Sequence, residues 1–147
     1  MTDIVPVSEA HRARWEELYA GYAQFYRVDQ TAAMRATVWG WLMDPAHELF
    51  GLIALDRAGH PVGLAHLRPF ARPLRASLGL YLDDLFVDPA ARGSGAAPAL
   101  IAAAAEAARA RGATLVRWIT ADDNYRARTA YDRVAMRTGW ITYDLVP

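Results

Sequence analysis

Hydrophobic and polar residues follow two different periods along this chain. Short apolar runs bounded by proline, glycine and aspartate predict strands, whereas apolar residues three and four positions apart predict helices. The turn at residues 56–59 is expected to join two strands as a hairpin, because Gly59 tolerates a positive φ. The predicted strands are residues 4–7, 49–55, 62–70, 78–87, 115–121 and 140–146.

Four helices are predicted between these strands. The first begins after Ser8, and the second begins at Asp29 or Thr31 and ends before Pro45. The third follows a glycine turn and ends at Gly112, while the fourth begins at residues 122–124. Inward-facing positions are predicted for three of these helices. They are Trp15, Leu18, Tyr19, Tyr22 and Phe25 or Tyr26 in the first, Met34, Val38, Trp41 and Leu42 in the second, and Ala127, Ala130, Tyr131 and Val134 in the fourth.

The order of these elements predicts the fold class. The hairpins in the middle of the chain indicate antiparallel pairing, and the later strand–helix–strand unit indicates a parallel crossover. Prolines and arginines at residues 69–75 predict an irregular connection before the strand at 78–87. We therefore expect an α/β protein, of the mixed-sheet α+β kind, with helices on both faces of the sheet and a single domain over residues 1–147.

Composition excludes several classes of function. Of 147 residues, 54% are hydrophobic and 22% are charged, and the formal net charge of zero argues against a general nucleic-acid binder. The chain has no cysteine, which excludes disulfides and thiolate chemistry, and no run long enough to span a bilayer. We expect a cytoplasmic protein with no membrane partner. No metal site is expected either, because metal-ligand spacing is missing from the four histidines, His11, His47, His60 and His66.

The turn at residues 92–97 carries the clearest chemical signal. It lies between an apolar strand and an alanine-rich helix, and its glycines can present backbone N–H groups at the helix N-terminus, where negative charge is favoured. Two common phosphate motifs fail here. The dinucleotide motif would need glycine in place of Pro98, and the P-loop needs a lysine, which the chain lacks.

Two adjacent acids interrupt the most apolar strand. Regular alternation places Asp83 and Asp84 on opposite faces of that strand. Because an unpaired buried carboxylate is costly, each should have a partner, a shifted pKa or access to water. Either they are strand-end acids paired with arginines, or they bind substrate and move protons. The hydroxyl groups of Tyr19, Tyr22 and Tyr26 are candidates for lining a substrate site, although core packing also explains these rings.

The residues of the glycine turn resemble the acetyl-coenzyme A signature Q/R-x-x-G-x-G/A of the GNAT N-acetyltransferase superfamily. Arg92, Gly95 and Ala97 fill its fixed positions. The pattern that starts at Asn124 and ends at Tyr131 resembles the N-x-x-A-x-x-x-Y helix of the same superfamily. Within it, residues 81–87 are similar to a strand of the diamine (spermidine/spermine) and thialysine N-acetyltransferase group.

This resemblance implies a GNAT fold and an enzyme that uses acetyl-coenzyme A as cosubstrate, without a metal. Tyr131 would be the general acid for the leaving thiolate, and Asp83 would remove the proton of the amine through a water. Asp84, with Asp83, Tyr22 and Tyr26, would bind the cationic acceptor. The residues implied in binding the cosubstrate are Leu85, Phe86, Val87, Arg92, Gly93, Ser94, Gly95, Ala96, Ala97 and Asn124.

The acceptor stays open at this point. The resemblance favours the primary amine of a small molecule, either a polyamine or a lysine-like compound. Two alternatives are a non-catalytic acyl-coenzyme A-binding or regulatory module and an acetyltransferase that acts on peptides or proteins. Since relatives are often dimers, a homodimer is a further expectation.

Overall fold

Five strands form one mixed sheet, in the order β1-β2-β3-β4-β5, and helices cover both of its faces. A computed structural model describes residues 2–147. The first four strands are antiparallel and β5 is parallel to β4, so the predicted fold class is confirmed. In chain order the elements are β1 (Asp3–Pro6), α1 (Arg12–Phe25), α2 (Ala32–Met43), β2 (Phe50–Leu55), β3 (Pro61–Arg72), β4 (Ser77–Val87), α3 (Ala96–Ala110), β5 (Val116–Arg117) and α4 (Tyr125–Tyr131).

Each face of the sheet has its own buried core. The alanine-rich α3 packs on one face, where small side chains allow the helix and strands to approach closely. The aromatic helices α1 and α2 pack on the other face. The first core is centred on Ala54, Ala65, Leu67, Leu80, Leu82, Leu100 and Ala104, and the second on Trp15, Leu18, Trp39, Ile53, Leu64 and Phe86.

A β-bulge in β4 changes which of its side chains share a face. Where β3 pairs with β4, His66 lies opposite Asp84 and Leu67 lies opposite Leu82, so Asp83 is the extra residue. An extra residue shifts the alternation of side chains by one position. The regular alternation predicted for this strand is therefore wrong beyond Asp83.

The bulge places both acids on the face covered by α1. Asp83 accepts a hydrogen bond from Arg68, and Asp84 is hydrogen-bonded to His66. Arg68 and His66 are two residues apart on β3 and so point the same way. The prediction that the acids face opposite sides is wrong, because it assumed a strand without an irregularity.

Helix α2 buries a different residue from those predicted. Trp39 is only 4% exposed and packs against Trp15, with ring centroids 5.0 Å apart. Trp41 is 43% exposed, and Met34 also lies at the surface. Thr31 caps the helix by accepting a hydrogen bond from the Met34 amide at 3.1 Å, which confirms the later of the two predicted starts.

The end of β3 and the length of the connection after it differ from the prediction, because pairing between strands determines where a strand ends. Strand β3 continues to Arg72, which pairs with Ser77, so the irregular connection shrinks to a short 3₁₀ turn at Pro73–Arg75. Pro69 is accommodated in the strand because β2 pairs with β3 only as far as Leu67, which leaves the β2 side of β3 without a partner at Pro69, where a missing N–H breaks no ladder hydrogen bond. The hairpin at residues 56–59 forms as predicted, and Gly59 has a φ of 82°.

The last predicted strand is absent. Within the part of the chain that the structure describes, residues 132–147 contain no helix or strand. The apolar side chains of residues 140–146 remain outside the core, with Trp140 87% and Leu145 93% exposed. A strand needs a neighbouring edge to pair with, and β5 extends over two residues only. No helix within residues 2–147 has the length and apolar character to cross a membrane.

Candidate active site

The glycine turn leads from β4 into α3 through two residues with left-handed backbone. Gly93 has a φ of 81° and Gly95 has a φ of 86°, values that strain any residue with a side chain. Gly95 is also the N-cap of α3, and it has no side chain to satisfy the first amides of the helix. A Cβ atom added at either glycine would meet nothing within 4 Å, so the space in front of the turn is open.

The turn offers a set of free backbone donors. The amide of Arg92 donates to the Pro89 carbonyl at 3.4 Å, and that of Ser94 donates to the Ala91 carbonyl at 3.2 Å. These two amides are therefore already bound within the protein. Donors at the positive end of a helix dipole suit a pyrophosphate, so the turn fits the cosubstrate that the resemblance implied. Within residues 2–147, no protein acceptor binds the amides of Gly93, Gly95, Ala96 and Ala97.

An ion pair anchors the start of this turn to α1. Arg14 contacts the carboxylate of Asp88 and also donates to the Pro61 carbonyl at 3.2 Å. The other oxygen of Asp88 accepts the Ala90 amide at 2.9 Å. These bonds, led by the one from Ala90, hold the pKa of Asp88 below its usual range. Arg92 lies with its guanidinium carbon 5.8 Å from the centre of the Phe25 ring, so the turn and α1 are neighbours.

Strands β4 and β5 separate soon after they meet. They pair only at Leu80 with Val116 and at Tyr81 with Arg117. Beyond Tyr81, no strand within the described residues pairs with β4 on the β5 side. The predicted cosubstrate strand, Leu85, Phe86 and Val87, lies along this open edge.

Asp84 is the centre of a buried hydrogen-bond network on the α1 face. Its Oδ2 atom lies 2.8 Å from Nδ1 of His66 and accepts the Tyr19 hydroxyl at 2.9 Å. Burial by itself raises the pKa of this carboxyl, but the hydrogen bond and the electrostatic attraction of His66, together with the hydrogen bond from Tyr19, outweigh it and leave the pKa lowered. Asp84 is therefore an anion held by side-chain hydrogen-bond donors.

Asp83 has the opposite electrostatic environment. Arg68 donates to its Oδ2 atom at 2.9 Å, and both side chains are partly exposed. Burial raises the pKa of Asp83, and the nearby charge of Asp84 adds to this, although Arg68 lowers it in part. Two neighbouring carboxyls whose pKa values move apart can divide the roles of charge and proton transfer. Pairing with an arginine is confirmed for Asp83, whereas the partner of Asp84 is a histidine.

Three tyrosines connect Asp84 with the far side of the site. The ring centroids of Tyr19 and Tyr22 are 6.1 Å apart, and those of Tyr22 and Tyr26 are 4.9 Å apart. Tyr19 contacts Asp84 at one end of this row. Tyr26 lies near Tyr131 at the other end, close enough to affect its titration. The tyrosine row, defined as Tyr19, Tyr22 and Tyr26, therefore lies between the acidic pair, Asp83 and Asp84, and the predicted general acid Tyr131.

Tyr131 ends α4 and is held by aromatic packing. Its ring meets that of Trp118 edge to face, with centroids 5.3 Å apart. Burial raises its pKa, and the neighbouring Tyr26 raises it further. A phenol with a raised pKa keeps its proton at neutral pH, which is the state a general acid requires.

Asn124 caps α4. Its Oδ1 atom accepts the Ala127 amide at 3.3 Å, which leaves the amide nitrogen of this side chain as a donor for a ligand. Its role in binding the cosubstrate remains a prediction. Within residues 2–147 there is no cluster of three or more histidine, aspartate or glutamate side chains that could hold a metal ion.

Sequence reasoning missed several members of this site. Of the four histidines, only His66 lies in mid-strand where it can approach a site, but the sequence favours a structural role for it. The sequence predicts Trp15 only as a core residue and does not distinguish Arg68. The available signal was the hairpin between β3 and β4, whose register brings His66 opposite Asp84. Trp15 lies 51 positions from His66, and no local pattern indicates that contact.

Known proteins share this fold and this arrangement of elements. Residues 15–136 match the Acetyltransferase (GNAT) family. The chain therefore belongs to the GNAT acetyltransferases, and the resemblance of its sequence to the GNAT superfamily is confirmed. The family uses acetyl-coenzyme A, for which the free amides of the glycine turn are suitable donors.

Three individual proteins are similar to this chain over most of its length. The chain is 28% identical over 130 residues to the D-amino-acid N-acetyltransferase HPA3 of Saccharomyces cerevisiae, covering 88% of this chain and 81% of the relative. The crystal structure of a probable acetyltransferase is 24% identical, with a TM-score of 0.85 over 99% of this chain and 97% of the other. The aminoglycoside N-acetyltransferase AAC(6')-Iy in complex with CoA is 19% identical, with a TM-score of 0.85 over 99% and 95%. At these identities the solved structures show a common fold.

Proposed function

We propose that this protein transfers the acetyl group of acetyl-coenzyme A to the primary amine of a small cationic molecule, such as a polyamine or a lysine-like amine. The observation that carries the proposal is the tyrosine row, which links the anionic Asp84 to the protonated Tyr131. An acceptor with a positive charge suits a carboxylate among aromatic rings, because both attract cations.

Acetyl-coenzyme A supplies the activated acetyl thioester. The amides of the glycine turn and Arg92 would bind its pyrophosphate, and Ser94 lies within the same turn. The open edge of β4 at Leu85, Phe86 and Val87 would bind the pantetheine arm through the backbone. Asn124 would donate through its amide nitrogen. This assignment is supported by the positive φ of Gly93 and Gly95, since both leave room for a ligand.

The acidic pair would bind and deprotonate the acceptor. An alkyl amine has a reference pKa of about 10.4 and is protonated at neutral pH, so it must lose a proton before it attacks. Asp84 is ionised and would hold the ammonium group. Asp83 has a raised pKa and would take the proton through a water, since a carboxylate accepts a proton more readily as its pKa rises.

Tyr131 would give its proton to the departing thiolate. Replacement by phenylalanine keeps the packing on Trp118 and removes only the hydroxyl. General acid catalysis typically contributes about 10²–10⁴-fold, so we expect kcat to fall by about that factor while acetyl-coenzyme A binding is retained. Tyr125→Phe is the matched control, because Tyr125 lies on the same helix as Tyr131 and is exposed.

The test is a thiol-release assay with spermidine, lysine, D-amino acids and short peptides as acceptors. Turnover with spermidine or lysine that is lost in Tyr131→Phe supports the proposal. Unchanged turnover in Tyr131→Phe removes this residue from the mechanism. Binding of acetyl-coenzyme A without thiol release across the panel would favour the regulatory module, and a preference for peptides would favour a protein acetyltransferase.

We also propose that the protein is a homodimer. The proposal is supported by the C-terminal segment 140–146, where Trp140 and Leu145 are exposed and a second copy could cover them. Deleting residues 140–147 should convert a dimer into a monomer, as measured by light scattering after size-exclusion chromatography. A monomeric full-length protein contradicts this proposal.

A further inference from the structure

We infer that Trp15 and His66 are positioning residues for Asp84. Trp15 holds His66 in the Nδ1–H tautomer, and His66 in turn donates its proton to the carboxylate that receives the acceptor. The inference rests on the proposed role of Asp84 in binding the acceptor amine. It adds two buried residues that neither the sequence pattern nor the family match assigns to the reaction.

The tautomer of His66 follows from its two partners. Nε1 of Trp15 lies 2.9 Å from Nε2 of His66. An indole nitrogen can only donate, so Nε2 must offer its lone pair and carry no proton. The ring proton is then on Nδ1, which lies 2.8 Å from Oδ2 of Asp84. Trp15 and His66 are each 1% exposed, so water does not compete for either bond.

Protonation of His66 would break this arrangement. A second proton on Nε2 would point at the N–H group of Trp15 and leave two buried donors facing each other. The charged and titratable groups around the ring are Asp84 and Asp83 on β4, Tyr19 on α1 and Arg68 on β3 itself. Strand β2 places Gly51 opposite His66 and adds no charge.

A neutral His66 leaves the negative charge of Asp84 available for the acceptor. If the imidazole were cationic, it would compensate this charge and weaken the attraction of the site for an ammonium group. The orientation of the carboxylate is fixed at the same time, because His66 and Tyr19 both bind its Oδ2 atom. The ring of Tyr19 also packs edge to face on His66, with centroids 4.7 Å apart.

The first test reads the tautomer directly in the wild-type protein. Nitrogen-15 NMR distinguishes an Nδ1–H ring from an Nε2–H ring and from an imidazolium. His66→Asn identifies the signals of His66, and His60→Asn identifies those of the exposed His60, which is close to Asp56 in the hairpin. We expect His66 to give the signals of an Nδ1–H ring at neutral pH, with the exposed His60 as the reference ring in the same spectrum. An Nε2–H ring or an imidazolium at neutral pH overturns the inference, whatever the enzyme assay shows.

The second test makes His66 able to titrate. Trp15→Phe removes the N–H group and frees Nε2 to bind a proton. With the best acceptor of the amine panel, its KM should rise about fivefold as the pH falls from about 8 to 6, with little change in kcat. KM for acetyl-coenzyme A should not change, and neither the wild type nor His60→Asn should show the new dependence.

A double variant separates positioning from packing. In Trp15→Phe/His66→Asn the asparagine amide can replace Nδ1–H as donor to Asp84, but it cannot titrate. The pH dependence introduced by Trp15→Phe should then disappear. A Trp15→Phe profile that equals that of the wild type, or one that persists in the double variant, contradicts the inference. If the proposed function is wrong, the result is different. The protein then shows no turnover, or its KM for the amine is insensitive to Asp84→Asn, while NMR still finds the Nδ1–H tautomer of His66.

Discussion

Replacing Asp84 with asparagine would remove one negative charge from the site with almost no change in shape. In the wild-type protein, Oδ2 of Asp84 is bound by His66 at 2.8 Å and by Tyr19 at 2.9 Å. The amide oxygen of asparagine can accept the same two hydrogen bonds. The fold should therefore persist, and the acceptor ammonium should lose its counter-ion.

The magnitude follows from the position of this carboxylate. It is mostly buried, and it is held by His66 and Tyr19 rather than by an arginine, so no guanidinium group compensates its charge in the network described above. A hydrogen bond to a charged group contributes about 1.5–3 kcal/mol. Since about 1.4 kcal/mol corresponds to a factor of ten, KM for the amine should rise by about 10- to 150-fold.

Steady-state kinetics with the best amine acceptor of the panel measures this effect. We expect KM for acetyl-coenzyme A to stay near the wild-type value, because the glycine turn is not changed. Asp56→Asn is the control, since Asp56 belongs to the exposed hairpin between β2 and β3. A KM for the amine within twofold of the wild type would refute the assignment of Asp84 as the anchor.

Two further variants test the remaining parts of the site. Gly95→Ala forces a side chain into a backbone with a φ of 86°, which costs about 1–3 kcal/mol, so isothermal titration should show weaker binding of acetyl-coenzyme A. The same change at Gly40, in α2, is the control and should have no such effect. Equal affinities of Gly95→Ala and the wild type would show that the turn does not hold the cosubstrate. Because Asp83 has a raised pKa, its carboxylate form is lost as the pH falls through that pKa, so wild-type kcat should decline on the acid side. Asp83→Asn should lower kcat and abolish that decline, and a variant whose pH profile equals that of the wild type contradicts the role of Asp83.

The sequence alone was sufficient for features that depend on a few neighbouring residues. Gly59, Gly93 and Gly95 adopt the positive φ values that their turns require. Thr31 caps α2, and Pro98 lies in the first turn of α3. Capping, backbone conformation and helical periodicity are local properties, so the order of the first nine elements and the position of the glycine turn could be predicted.

The tertiary structure decided what depends on pairing between distant segments. The bulge at Asp83 exists only in the register of β3 against β4, and it reverses the faces predicted for the residues beyond it. The segment 140–146 has the composition of a strand but finds no edge within residues 2–147. Burial of Trp39 in place of Trp41 likewise depends on where Trp15 lies.

The same distinction applies to the chemistry of the site. The sequence identified Asp84 as an acid that needs a partner, because an isolated carboxylate in an apolar strand is costly. It could not identify that partner. His66 is 18 positions from Asp84 along the chain, and Trp15, which orients His66, is 51 positions from His66. Residue types determined which groups can ionise or donate, whereas the packing of α1 on β3 and β4 determined which of them share a proton.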